Sequence, residues 1–235
     1  IMKSTLTLET LQQTIGVTYE NQMLLKQAFV HRSYLNESKE FPESNERLEF
    51  LGDAVLSFIT SEYLFRTYPK YPEGTLTNVR STLVKTTSLA ITGAELSLGA
   101  LLLVSRGEES SGGRTNQSLL ADCFEALLGA IFLDQGIEVA KKFVGKVLLF
   151  KTEAIIKNKS YVDYKSLLQE IIQEETKISP TYTLIKSEGP DHNKTFYVEV
   201  MMGETPLAEG KGKSKQEAEQ DAATKALKKR SINKV

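Results

Sequence analysis

The chain has 235 residues, 40% of them hydrophobic and 25% charged, with a formal net charge of -1. That is enough for one large or two small domains with a real hydrophobic core, and it excludes a disordered or collagen-like chain. The near-zero charge weakens the argument for a nucleic-acid partner without removing it, because a whole-chain sum hides local patches.

The N-terminal stretch Ile1 to Glu9 carries no signal-peptide core. No apolar run approaches the roughly 20 residues needed to cross a bilayer, so the expectation is a cytoplasmic protein without a membrane partner. From Leu6 to Ile156 the pattern predicts helices almost throughout, with Leu24, Leu25, Ala28 and Phe29 recurring at helical spacing. Tyr68 to Gly74, with two prolines and a glycine, predicts a break. A helix is expected over Thr75 to Leu89, then a polar, glycine- and serine-rich loop over 105–118. The next helix is expected from Ser118 to Asp134, ended near Gly136, and another from Glu138 to Ile156. The single cysteine, Cys123, lies in the apolar run Leu119 to Phe132; it can form no intramolecular disulfide and reads as a buried small hydrophobe.

Asn158 to Ser160 reads as a hinge, after which the periodicity changes. Tyr164 to Glu175 predicts a helix. Thr181 to Lys186 and Thr195 to Val200 alternate as strands around the turn Gly189-Pro190-Asp191, and a third strand is expected around Pro206 to Glu209. Ser214 to Leu227 predicts a last helix, with Ser214 as N-cap and Glu217 as its capping-box partner. The residues from Lys228 onward are expected to fray.

Two acidic sets stand out. With Glu46 at zero on a helical wheel, Glu49 falls at about 300° and Asp53 at about 340°, while Leu48, Leu51, Val55 and Phe58 fall between about 120° and 200°. Asp122 and Glu125 share a face too, but theirs is set among Leu119, Leu120, Phe124, Leu127 and Leu128. Carboxylates are almost never buried unless paired or bound to a metal. Two such helices side by side would gather Glu49, Asp53, Asp122 and Glu125 around one point, a set suited to a hard cation and to phosphoryl chemistry. Solvated surface remains the alternative, more readily for Glu46 to Asp53 than for Asp122 and Glu125. Gly52 favours the first reading, since a glycine inside a helix costs roughly 1 kcal/mol against alanine and is tolerated where something approaches closely. Two histidines, His31 and His192, and one cysteine do not make the usual zinc site.

Gly210-Lys211-Gly212-Lys213-Ser214-Lys215 sets three lysines at a strand-to-helix junction, where free N–H groups and the helix dipole favour an anion. The spacing is not that of a nucleotide P-loop, and a solvated turn is the plain alternative.

Asn45-Glu46-Arg47-Leu48-Glu49-Phe50-Leu51-Gly52-Asp53 resembles the signature of the ribonuclease III family. Phe29 to Tyr34, Glu73-Gly74, Gly112-Gly113-Arg114 and Ala121 to Ala126 extend the resemblance over the chain. It implies an all-α endonuclease domain over 1–157, a hinge over 158–160, a small α+β (α-β-β-β-α) double-stranded RNA binding domain over 161–230, and a frayed tail over 231–235. By resemblance, Glu49, Asp53, Asp122 and Glu125 match the acids that bind Mg²⁺, which Mn²⁺ can replace. Asp53, Glu125 and Glu46 match catalytic positions, and Glu73 matches a glutamate near the dimer interface that supports the cleavage centre. In the second domain Gln169 and Glu170, the Gly189 to His192 loop, and Lys211, Lys213 and Lys215 match RNA-contacting positions. That mode reads A-form shape with little sequence content. One departure is Gln216, where the family often has a second lysine.

The implied activity is Mg²⁺-dependent hydrolysis of both strands of double-stranded RNA by a homodimer. The implied products are 5′-phosphate and 3′-hydroxyl ends with two-nucleotide 3′ overhangs, from structured precursors of ribosomal and messenger RNA. DNA is not an expected substrate. Rival readings are an RNA-binding protein that no longer cuts, a helical scaffold with an acidic surface, and a DNA-directed metal nuclease.

Overall fold

The structure is a computed structural model, and it describes residues 7–190 and 193–232. The chain forms two compact units that divide between Tyr161 and Val162.

Among its described residues, the first unit has only helices as regular elements, with one isolated bridge between Val30 and Leu103. Its helices are α1 (Leu8–Ile15), α2 (Gln22–Gln27), α3 (Glu46–Thr67), α4 (Glu73–Val84), α5 (Thr86–Glu95), α6 (Arg106–Ser110), α7 (Gln117–Val147) and α8 (Thr152–Lys157). Short polar side chains start several of them. Thr7 and Thr10 form a reciprocal capping box on α1, and Asn116 accepts the Ser118 and Leu119 N–H groups at the start of α7.

The core is organised on α3 against α7. Both helices carry a glycine at their crossing. A Cβ on Gly52 would lie 1.8 Å from the Glu125 carbonyl oxygen, and one on Gly129 would lie 2.2 Å from that of Leu48. The two backbones therefore touch where a side chain on either would hold them apart. Around the crossing lie Leu56, Ile59, Phe124, Leu127 and Ile131, all fully or almost fully buried. Cys123 is buried there too, its thiol pushed up by burial, as the sequence led one to expect.

Several predicted boundaries are corrected. Thr75 to Leu89 is two helices broken at Lys85, whose φ of -62° and ψ of 149° are extended. The break lets α4 lie on α3 while α5 lies on α7, which one straight helix could not do. Gly74, expected outside the helix, sits in the first turn of α4 behind Pro72. The 105–118 loop contains α6. One expected boundary holds: Gly136, with φ 77° and ψ -179°, is not helical and divides the α7 span into two helical segments, as read from the sequence. Glu138 to Ile156 is not one helix: the helical run ends at Val147, Leu148 leaves helical geometry (φ -129°, ψ -52°), and a 3-10 turn over Leu149–Lys151 leads into α8. Phe58, placed with the apolar face on the wheel, is exposed.

The second unit contains α9 (Tyr164–Thr176), strands β1 (Thr181–Glu188), β2 (Thr195–Met202) and β3 (Thr205–Gly212), and α10 (Lys215–Ile232). The sheet is antiparallel in the order β1-β2-β3, with bulges at Leu184/Lys186 and at Val200/Met201. Leu168 and Ile172 of α9, Val200 of β2, and Ala222, Ala223 and Ala226 of α10 form its core. Asp163 caps α9 and also accepts from Gln220 at 2.7 Å, tying the start of the unit to α10. α10 runs past the predicted end at Leu227, with Lys229 donating to the Leu207 carbonyl and Arg230 paired with Glu175. Of the expected frayed tail, residues 233–235 lie outside the described residues.

Candidate active site

The helix crossing sets the acids. Glu49 precedes Gly52 by one turn on α3, and Asp122 and Glu125 precede Gly129 on α7, so the close backbone approach brings their side chains together. Carboxylate oxygens of Glu49, Asp122 and Glu125 all lie within 4.8 Å of one another, each residue half-buried. Burial pushes Glu125 up to about 8, with Asp53, Glu49 and Asp122 adding to the rise. Burial also raises Glu49, with help from Asp122, Glu46 and Asp53. It raises Asp122 as well, and there His31 works in the opposite direction. Three acids held so close, each penalised for its charge, are relieved by a shared cation. The donor set is all oxygen, which suits Mg²⁺ or Mn²⁺.

Asp53 is exposed and stands outside this tight group, though near enough to act on Glu49 and Glu125. The wheel placed four acids at one point; the structure gathers three and leaves the fourth beside them. Glu46, the first residue of α3, is also exposed. It accepts from Ser44 Oγ at 2.7 Å and faces Arg32 at 3.8 Å. Glu73 is not at the cluster: it opens α4, accepts from Thr77 at 2.8 Å, and borders a groove lined by Phe58, Phe65 and Arg80.

A cavity of ≈ 280 Å³ adjoins the cluster, lined by Glu46, Glu49, Asp122, His31, Arg32 and Asn45 among others. The last three were not proposed from the sequence as site residues. Asn45 is buried. Its N–H donates to the Val30 carbonyl at 2.8 Å and its side chain to the Ala28 carbonyl at 3.2 Å, which fixes where α3 begins. Arg114 holds the neighbouring loop, with Nη1 reaching the Gly99 and Leu102 carbonyls and Nε the Glu109 carboxylate. The only signal for these residues in the sequence was their place in the segments that carried the family resemblance.

In the second unit, Gln169 and Glu170 are exposed on α9, and Lys211, Lys213 and Lys215 are exposed at the β3–α10 junction. Asp191 and His192 lie outside the described residues. The two glycines between the lysines have a packing role: a Cβ on Gly210 would come within 2.2 Å of the α10 backbone, and one on Gly212 within 2.4 Å of Glu217. They let α10 seat on β3 and leave the lysines pointing outward. Ser214 does accept the Glu217 N–H, at 3.1 Å, but the Glu217 carboxylate returns to the Lys213 N–H instead of the cap residue's own. Lys213 Nζ donates to Asn193 at 2.6 Å, joining this junction to the β1–β2 connection.

Residues 21–152 match the family described as Ribonuclease-III-like, and residues 164–230 match the double-stranded RNA binding motif. The chain is 47% identical over 228 residues to Ribonuclease 3 of Enterococcus faecalis, covering 97% of this chain and 98% of that one. It is 45% identical over 216 residues to Ribonuclease 3 of Borreliella afzelii, covering 92% and 88%. Among solved structures, the nuclease domain of ribonuclease III from Campylobacter jejuni is 40% identical, with a TM-score of 0.56. That match covers 60% of this chain and 95% of the other.

Proposed function

The chain belongs to the ribonuclease III family, and we propose that it is a Mg²⁺-dependent endoribonuclease that hydrolyses both strands of double-stranded RNA. The observation that carries this reading is the meeting of Glu49, Asp122 and Glu125 within 4.8 Å, in a chain that also carries a double-stranded RNA binding motif.

Glu49, Asp122 and Glu125 would hold the cation, with Asp53 beside them as a further carboxylate and Glu46 at the rim of the cavity. When bound, Mg²⁺ (or Mn²⁺) supplies a water acidified enough to act as nucleophile near neutral pH and offsets charge building on the phosphate. The α3–α7 crossing keeps the carboxylates in place, so little reorganisation is needed when substrate arrives. Glu125 must give up its proton to serve as a ligand, which a cation at the cluster favours. Water oxygen becomes bonded to phosphorus as the bond to the 3′ oxygen breaks, leaving a 5′-phosphate and a 3′-hydroxyl.

The outer side of α3 supports a homodimer. Phe50, Phe58 and Phe65 are 81%, 56% and 73% exposed, an apolar stripe that a second copy would cover. The related C. jejuni nuclease domain is described as having a region involved in dimer formation. Two sites on opposite strands across a minor groove would give two-nucleotide 3′ overhangs, and Glu73, beside this stripe, would support the cleavage centre from the interface. In the second unit Gln169, Glu170 and the loop bearing His192 would enter minor grooves, and Lys211, Lys213 and Lys215 would meet phosphates. No described helix is long and apolar enough to cross a membrane, and structured ribosomal and messenger RNA precursors in the cytoplasm are the substrates that fit this reading.

The test is incubation of a labelled perfect RNA duplex with the full chain, with and without Mg²⁺, beside the same duplex in DNA. Mg²⁺-dependent cutting of RNA alone with the stated ends is expected. Tight binding with no cutting in Mg²⁺ or Mn²⁺ would overturn the reading in favour of a binding protein.

A further inference from the structure

His31 and Arg32 share the acidic cavity with Glu46, Glu49 and Asp122, yet neither can serve as a carboxylate ligand. The His31 ring is fixed. Its Nδ1 lies 2.8 Å from Ser33 Oγ and accepts the Ser33 N–H at 3.3 Å. Ser33 Oγ itself accepts the Ser105 N–H at 2.9 Å, which holds it in place beside Nδ1, where its rotatable proton can be donated. A ring nitrogen that accepts leaves the imidazole proton on the other one, Nε2. The backbone is fixed as well, since His31 N–H donates to the Leu103 carbonyl at 3.0 Å and Leu103 N–H to that of Phe29 at 2.8 Å. Nε2–H therefore has a set orientation and no hydrogen-bond partner among the described residues. Arg32 is exposed, and its ion pair with Glu46, at 3.8 Å, is too long for a good hydrogen bond.

One pre-set N–H and one loosely held guanidinium beside an acidic cluster suit a ligand with paired anionic oxygens. We propose that His31 and Arg32 form a subsite for a backbone phosphate of the RNA strand being cut. His31 Nε2–H donates to one non-bridging oxygen, and Arg32 exchanges its contact with Glu46 for the other. This rests on the double-strand ribonuclease reading and names which residues of the site hold the strand. No bond is made or broken at the subsite; its effect is to place the diester against the carboxylates.

Two substitutions separate this role from the structural one. His31→Asn keeps an acceptor for the Ser33 N–H, as asparagine is a good N-cap, but removes the donor in the cavity. His31→Gln keeps a donor at the reach of Nε2. Cleavage of labelled duplex RNA in Mg²⁺ by the full chain is expected to fall roughly 10- to 100-fold in kcat/KM for His31→Asn, the size of one charge-assisted hydrogen bond. His31→Gln should recover part of that loss. Both should bind Mn²⁺ as the unsubstituted protein does, measured calorimetrically. Arg32→Gln should raise KM about tenfold with kcat little changed. A His31→Asn protein that cuts with the kcat/KM of the unsubstituted chain, or whose loss of cutting matches an equal loss of Mn²⁺ affinity, overturns the subsite. If the unsubstituted chain leaves the duplex whole, both the activity and the subsite fall.

Discussion

Replacing Glu125 with glutamine should stabilise the metal-free protein, and only at higher pH. The Glu125 carboxyl is raised from 4.5 to about 8 in the folded chain. A group raised in this way binds its proton more tightly folded than unfolded, so its contribution to stability is complete below about pH 4.5. It is lost as pH rises toward 8 and stays lost above that. For a group fully shielded from solvent, the distance from 4.5 to about 8 corresponds to roughly 5 kcal/mol. Solvent reaches the half-buried cluster and screens it, so about 2 kcal/mol is the expected size. Glutamine carries no charge at any pH and escapes the penalty. The assay is thermal unfolding of both proteins in chelator from pH 5 to pH 9, following the helical unit. The two should melt together near pH 5, and Glu125→Gln should melt higher by about 4–8 °C at pH 9. Saturating Mg²⁺ should narrow or reverse the difference, because the ion stabilises the protein whose site is intact. A difference that does not change with pH, or a variant less stable at pH 9, would refute the account of the cluster as mutually repelling, desolvated acids.

Glu125→Gln and Asp122→Asn should each lower single-turnover cleavage by more than about 1000-fold, with duplex affinity measured in Ca²⁺ within a few-fold of the unsubstituted chain. Gly52→Ala should destabilise the first unit by roughly 3 kcal/mol or more, since its Cβ would meet the Glu125 carbonyl at 1.8 Å. Gly145→Ala on α7, where nothing lies within 4 Å, should stabilise it by about 0.5–1 kcal/mol; urea unfolding reads both. Lys215→Ala should reduce the slope of log affinity against log salt by about 1, measured by duplex binding over a salt series. Phe65→Lys should turn a dimer into a monomer in sedimentation.

The acids were legible because their chemistry conflicts with their surroundings: Asp122 and Glu125 interrupt an apolar face, and periodicity alone exposes that. Gly52 was legible as a close approach for the same reason, an unfavourable residue inside a helix. Its partner Gly129 is not legible in the same way, because a glycine in a run of small and apolar residues raises no local contradiction. The wheel could not separate Asp53 from Glu49, because their directions differ by only about 40° and depth is decided by the neighbouring helix. His31, Arg32 and Asn45 come from a stretch without periodicity, and only the tertiary hydrogen bonds to 28–30, 103 and 105 give them a place. The lysine junction was seen for its charge, while the reason for its glycines lay in α10, a contact that no local pattern displays.

The crossing of α3 and α7 has a bearing on how such a protein can fail. The carboxylates hang from the same two glycine-lined backbones that centre the hydrophobic core, so no hinge or lid separates the chemical part from the structural part. Loops around it can be nicked or lengthened without moving the acids. A lesion in the packing, by contrast, is at once a lesion in ion capture. Heat inactivation should therefore follow the cooperative melting of the helical unit without an earlier local step, and selection for a hardier core would keep the cluster intact as a by-product.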